Sequence, residues 1–142
     1  MAADHNAGII EEFRANQGRV GGYFEGQTIL LLHTVGRRTG RPRLNPAVYL
    51  PDGDRFVIFA TKSGAPTNPH WYHNLMANPE VQVEVGTETI PVRAVEIQDE
   101  REREALYARQ VERVPGFADY PNRTRRRIPV IALEPLDAAG ST

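Results

Sequence analysis

The sequence predicts a mainly β, α+β domain: an antiparallel sheet of six or so strands, curled or closed into a barrel, with helices packed around it. Three observations lead there. Short apolar and β-branched runs recur, among them Thr28-Ile29-Leu30-Leu31-Leu32-His33-Thr34-Val35 and the strictly alternating Val81-Gln82-Val83-Glu84-Val85. The links between several of these runs are too short for a helical crossover, so neighbouring strands must run antiparallel. A sheet of this size that includes a buried run disposes of its exposed edges by closing on itself.

Bulk properties agree with one ordinary domain over residues 1–142, since a chain near 150 residues argues against two. With 40% hydrophobic and 25% charged residues, a normal core forms without staples. The chain has no cysteine, which excludes disulfides, thiolate metal sites and cysteine nucleophiles and is compatible with a reducing cytosol. A net charge of -1 gives no electrostatic reason to expect nucleic acid. No run approaches the ~18 apolar residues of a membrane span. The opening Met1-to-Phe13 stretch lacks a basic segment followed by an apolar one, so no signal peptide is visible and a cytoplasmic protein is expected.

Taken in order, Ile9, Ile10 and Phe13 fall at helical spacing and predict a helix from about His5 to Asn16, ended by Gly18, Gly21 and Gly22. It reads as a docking helix; three apolar residues give it at most a peripheral membrane contact. Thr28 to Val35 predicts the first strand, Gly36 to Arg43 a polar turn and Leu44 to Leu50 the second strand. Pro51-Asp52-Gly53-Asp54 signals a hairpin into a third strand, Arg55 to Thr61. After a loop from Lys62, Asn68 is expected to cap a helix whose first residue is Pro69 and which stops near Asn78-Pro79. Val81 to Val85 and Ile90 to Ile97 make a second hairpin. Gln98 to Arg113 predicts a charged helix facing inward through Leu106, Tyr107, Gln110 and Val111. Pro115-Gly116 ends it, Ile128 to Leu133 forms the last strand, and a small polar tail over 136–142 is expected to fray.

Two segments carry chemistry. Gly36-Arg37-Arg38-Thr39-Gly40-Arg41-Pro42-Arg43 puts four arginines into eight residues of a chain with negative net charge. Guanidinium forks grip phosphate and carboxylate bidentately, and the glycines let backbone N–H groups approach an anion. The bland alternative is a solvated basic turn. Ala60-Thr61-Lys62-Ser63, leading into the start of a helix, offers further donors and the positive end of the helix dipole; an ordinary strand-to-helix link explains it equally on its own. In His70-Trp71-Tyr72-His73-Asn74, the histidines at i, i+3 lack a third ligand by spacing, so no metal is expected. No nucleophile triad, carboxylate pair or dinucleotide fingerprint is visible. An anion cradle without a catalytic side-chain set suits an enzyme whose cofactor does the chemistry.

The string from Gly36 to Pro46, the Asp52-Gly53-Asp54-Arg55 hairpin, the block Lys62 to Pro79 and the closing Arg126-Arg127-Ile128-Pro129-Val130 resemble, in order and spacing, the deazaflavin-dependent nitroreductase family. The likeness covers about Gly18 to Glu134. It implies a split β-barrel, similar to FMN-binding barrels, with coenzyme F-420 in a groove. Carried over position by position, Arg37, Arg38, Thr39 and Arg43 would hold the phosphate and glutamyl tail. Asn45 and Pro46, with Ala60, Thr61, Lys62 and Ser63, would line the ring, and His70, Trp71, Tyr72, His73 and Asn74 would complete the site. The family passes a hydride from C5 of the reduced deazaflavin to an electron-poor acceptor, a quinone or nitroaromatic. Tyr120 is the candidate proton donor or orienting group. Where nitro-prodrug-reducing members carry further tyrosines, this chain has Val48, Val114 and Phe117; that departure favours a quinone or another flat apolar acceptor. An FMN-binding oxidoreductase of the same fold is the second reading, and a non-catalytic carrier of cofactor or lipid is the third. Split barrels often pair, so a homodimer is admissible, although no segment singles out an interface.

Overall fold

The computed structural model describes residues 2–19, 28–61, 67–123 and 127–136. Lys62 and Ser63, like Gly21, Gly22 and the expected frayed tail from residue 137, lie outside the described residues. The chain runs α1 (Ala2–Ala15), β1 (Ile29–Val35), β2 (Pro42–Asp52), β3 (Arg55–Phe59), α2 (His70–Ala77), β4 (Glu80–Val85), β5 (Glu88–Glu96) and α3 (Glu100–Arg113). A short 3-10 turn (Pro115–Asp119), α4 (Tyr120–Arg123) and β6 (Val130–Pro135) complete it. The six strands close into a barrel in the order β1-β2-β3-β6-β5-β4, with every neighbouring pair antiparallel. The expected closure is therefore present.

Strand alternation decides which residues fill the barrel. Leu30 and Leu32, Tyr49, Ile58, Val83, Val92, Ala94, Ile131 and Leu133 form the inner cluster, and α2 stops one end of it with Leu75, Trp71 and Tyr72. Alternate residues point outward into two further clusters. Phe13 of α1 packs on Ile29 and Leu31, with Ile9, Ile10 and Leu44 around it. Leu50, Val57, Phe59, Val130 and Ala132 meet Leu106 of α3 and Phe117 of the 3-10 turn. Val48 touches both outer clusters. This explains the continuous apolar run of β1: Leu30 and Leu32 face the interior, whereas Ile29 and Leu31 lie under α1.

Helix α1 is tied down at its C-terminal end. Arg14 donates to both carboxylate oxygens of Glu84 on β4, at 3.0 and 2.6 Å, and His33 Nε2 lies 2.7 Å from the same carboxylate. Immediately after the helix, Gly18 (φ 96°) crosses Gly86, and a Cβ on Gly18 would stand 2.9 Å from the Gly86 Cα. Only glycine permits that backbone contact.

Several boundaries differ from expectation. Strand β2 begins at Pro42 rather than Leu44 because Pro42 pairs with Val35, and proline is tolerated as the first residue of a strand. Strand β3 ends at Phe59, two residues short of Thr61. The cap position of α2 is occupied by Pro69, with ψ 155° and no side-chain cap bond, so the helix starts at His70 and Asn68 is not its cap. Asp99 caps α3, its side chain accepting from the Arg101 N–H, which leaves Gln98 outside that helix.

Candidate functional site

The β1–β2 turn is a closed, self-bonded loop. The Gly36 N–H donates to the Arg41 carbonyl and the Gly40 N–H to the Gly36 carbonyl, both at 2.8 Å. The Arg41 N–H donates to Thr39 Oγ1 at 3.2 Å. The Arg37 N–H donates to Asn74 Oδ1 of α2 at 3.1 Å. These four N–H groups are thus engaged inside the protein. Both glycine N–H groups of the turn therefore point into the protein and not toward an anion, and the charged donors this platform carries are its guanidinium groups.

That platform forms one wall of a groove of about 750 Å³ at the mouth of the barrel. Eight of the expected cofactor residues line it: Arg37, Arg38, Thr39, Arg43, Asn45, His70, Trp71 and Asn74. Ala7 and Ile10 of α1, with Gly36, Pro42, Leu44 and Pro69, complete the walls and were not among the expected site residues. The available signal was the Ile9-Ile10-Phe13 stripe, which marks a docking face without saying that the docked helix borders a groove. Other expected residues point elsewhere. Ala60 and Thr61 are buried and Pro46 is half-buried, none lining the groove. Tyr72 packs on the inner cluster and donates its hydroxyl to Glu96 at 2.6 Å. Burial, then the bond to Glu96, pushes that phenol up to about 12. His73 stacks edge-on to Tyr72 with ring centroids 5.3 Å apart.

The electrostatics of the groove are one-sided. Arg14, Arg55, Arg93, Arg103, Arg109 and Arg127 all pair with carboxylates. Among the described residues no ion pair involves Arg37, Arg38, Arg41 or Arg43. Burial, followed by the charges of Arg37 and His70, holds the His73 imidazole below its ordinary value, which keeps it neutral near pH 7. Positive charge concentrated at a concave wall, with no ion-pair partner among the described residues, suits an anionic ligand.

The expected acceptor residues gather away from this groove. Val48, Val114 and Tyr120 pack around Phe117 in the outer cluster under α3, and the Tyr120 ring meets Phe117 at 5.1 Å between centroids. Tyr107 supports them by donating its hydroxyl to the Phe117 carbonyl at 2.7 Å. None of the four lines the groove. Val48 touches both this cluster and the Ile10–Leu44 cluster beside the groove, so the two regions are contiguous.

Residues 9–135 match the family model described as F420H(2)-dependent quinone reductase. The chain belongs to that family. An F420H(2)-dependent quinone reductase of Mycobacterium tuberculosis is 39% identical over 127 residues, covering 85% of this chain and 83% of the relative. The solved structure of an F420-H2 dependent reductase superposes with a TM-score of 0.69 at 35% identity, over 80% of this chain and all of that one. A solved chain described as a domain-swapped dimer gives a TM-score of 0.70 at 31% identity, with 94% and 97% covered. More distant barrels, such as the haem storage protein of Vibrio cholerae (TM-score 0.58, 21% identity, 92% of this chain and 90% of that one), share the fold. As a member of the quinone reductase family, the chain is an oxidoreductase that works with coenzyme F-420. No helix among the described residues is long and apolar enough to cross a membrane.

Proposed function

We propose that this reductase passes a hydride from reduced coenzyme F-420 to a quinone, with the cofactor held in the barrel-mouth groove. The set of arginines without carboxylate partners among the described residues carries this reading: Arg37, Arg38 and Arg43 line the groove on a turn whose glycine N–H groups are already engaged. They fit a phosphate and glutamyl tail, which needs several charged donors. Ile10, Leu44, Pro69 and Trp71 fit a flat ring, and a groove of about 750 Å³ lies within the usual range for cofactor sites.

Bound reduced deazaflavin supplies the hydride. The chain's own residues would do the rest: the arginines would hold the tail, Trp71 and Leu44 would shield the ring from water, and the acceptor would enter on the side of the groove where Val48 joins it to the apolar Val114–Phe117 cluster. The quinone gains one hydride and one proton and leaves as a hydroquinone; Tyr120 is the side chain assigned to orient it or donate the proton. Val48, Val114 and Phe117, which stand where nitro-prodrug-reducing proteins of the resembling family carry tyrosines, favour quinone over nitroaromatic. As with the relative described as a domain-swapped dimer, we expect the chain to pair.

Titrating oxidised coenzyme F-420 into the protein, followed by its fluorescence, tests the site. An Arg38→Ala/Arg43→Ala variant is expected to lose ~10-fold or more in affinity, equivalent to about 1.5–3 kcal/mol of charged hydrogen bonding. Binding indifferent to both arginines sinks the assignment. A marked turnover preference for a nitroimidazole over a menaquinone analogue sinks the acceptor.

A further inference from the structure

Asn74 lines the groove, yet its side-chain amide is engaged within the protein. Its Oδ1 accepts from the Arg37 N–H at 3.1 Å, and its Nδ2 donates to Thr34 Oγ1 at 3.5 Å. The first bond fixes the amide orientation, because a backbone N–H requires the oxygen and sends the NH₂ toward Thr34. Both side chains are buried, Asn74 at 6% and Thr34 at 3% exposure. The two bonds therefore form a chain from β1, through the helix that stops the barrel, to the backbone of the arginine turn.

We propose that Thr34 and Asn74 are positioning residues that set the arginine turn, so that recognition of the cofactor's anionic tail depends on a hydroxyl that touches no ligand. This rests on the groove holding coenzyme F-420. The turn's other bonds, Gly36 to Arg41, Gly40 to Gly36 and Arg41 to Thr39, are internal to it, and the β1–β2 ladder holds its two ends as far as the Val35–Pro42 pair. Among the described residues, the Arg37–Asn74 bond is the hydrogen bond that connects this platform to α2. Guanidinium groups at the ends of long side chains amplify a small tilt of their backbone, and bidentate contacts to a phosphate tolerate little misplacement. Thr34 in turn restrains the amide, which would otherwise rotate about its terminal torsion.

The proposal separates from a general packing role by ligand choice. Affinity is measured for coenzyme F-420 and for the deazaflavin riboside, which carries the ring without phosphate or glutamates. Thr34→Val, close in shape but unable to bond Asn74, is expected to weaken coenzyme F-420 by about 3- to 10-fold, the span of one hydrogen bond. It should leave the riboside unchanged, with Thr34→Ser restoring the wild-type ratio. Equal weakening of both ligands, or no weakening of either, overturns the relay. If Thr34→Val has no effect while Arg38→Ala/Arg43→Ala loses affinity, the relay fails and the groove assignment stands. If the arginine variant also binds normally, the groove assignment itself has failed. Thermal melting of Thr34→Val controls for folding, and a selective loss with an unchanged melt supports the proposal most directly.

Discussion

Replacing Gln110 by methionine changes a feature of α3 that the charged sequence around it conceals. Gln110 is fully buried at 0% exposure, and neither its Nε2 nor its Oε1 has a hydrogen-bond partner among the described residues. It lies one helical turn after Leu106, on the face that packs over Val57, Phe59 and Ala132. A buried amide that has lost water and gained no partner costs about 1–3 kcal/mol. Methionine has the same unbranched length and nearly the same volume, so the swap removes that cost without leaving a cavity. Gln110→Met is therefore expected to stabilise the protein by about 1–3 kcal/mol, raising Tm by ~2–4 °C for each kcal/mol in a chain of this size. Urea denaturation should show a higher midpoint with an unchanged slope, because the surface exposed on unfolding is the same. A loss of 1 kcal/mol or more would refute the reasoning: it would mean that the amide makes bonds worth more than its desolvation.

Two further outcomes follow from the anchoring of α1. Gly18→Ala puts a Cβ 2.9 Å from the Gly86 backbone at a positive φ, so it should destabilise the fold by about 1–3 kcal/mol; an unchanged melt would show that α1 docks without this crossing. Arg14's hydrogen bond, aided by His33, holds the Glu84 carboxyl below its ordinary 4.5. Its stabilising contribution is therefore complete above about pH 4.5 and lost as pH falls through the lowered folded value. Arg14 is half exposed, so solvent screening keeps the effect small. Melting curves between pH 3 and 6 should show a shallower acid-side decline in Glu84→Gln than in the wild type, and parallel curves would exclude the pair as a contributor.

Local pattern carried much of this molecule. The alternation of Val81 to Val85, the Asp52-Gly53-Asp54 hairpin and the continuous run of β1 each follow from the two-residue period of a strand and from turn chemistry, both readable within a few residues. The arginines at 37, 38, 41 and 43 read as a candidate anion-binding turn because charge density and glycine spacing are properties of the segment itself. Motif order across the chain, rather than any single motif, carried the deazaflavin family.

Other features depended on groups far apart in sequence. Whether β1 closes against β4, and β3 against β6, rests on the summed packing of an interior that no window contains. Ile10 borders the groove because α1 docks on Ile29 and Leu31 through Phe13, and Arg14 ties its end to Glu84, 70 residues away. Tyr72 and Trp71 are neighbours in sequence, yet one packs inward toward Glu96 while the other walls the groove, since successive helical residues lie about 100° apart and the barrel's end fixes the rotation. The N–H groups of Gly36, Gly40, Arg41 and Arg37 read as free from the sequence but are taken by Arg41, Gly36, Thr39 and Asn74 respectively. The sequence by itself determined strand faces, the charge of the turn and the class of cofactor. The tertiary structure decided which of those groups meet, because hydrogen bonds and packing are satisfied by whichever partner the closed barrel brings near.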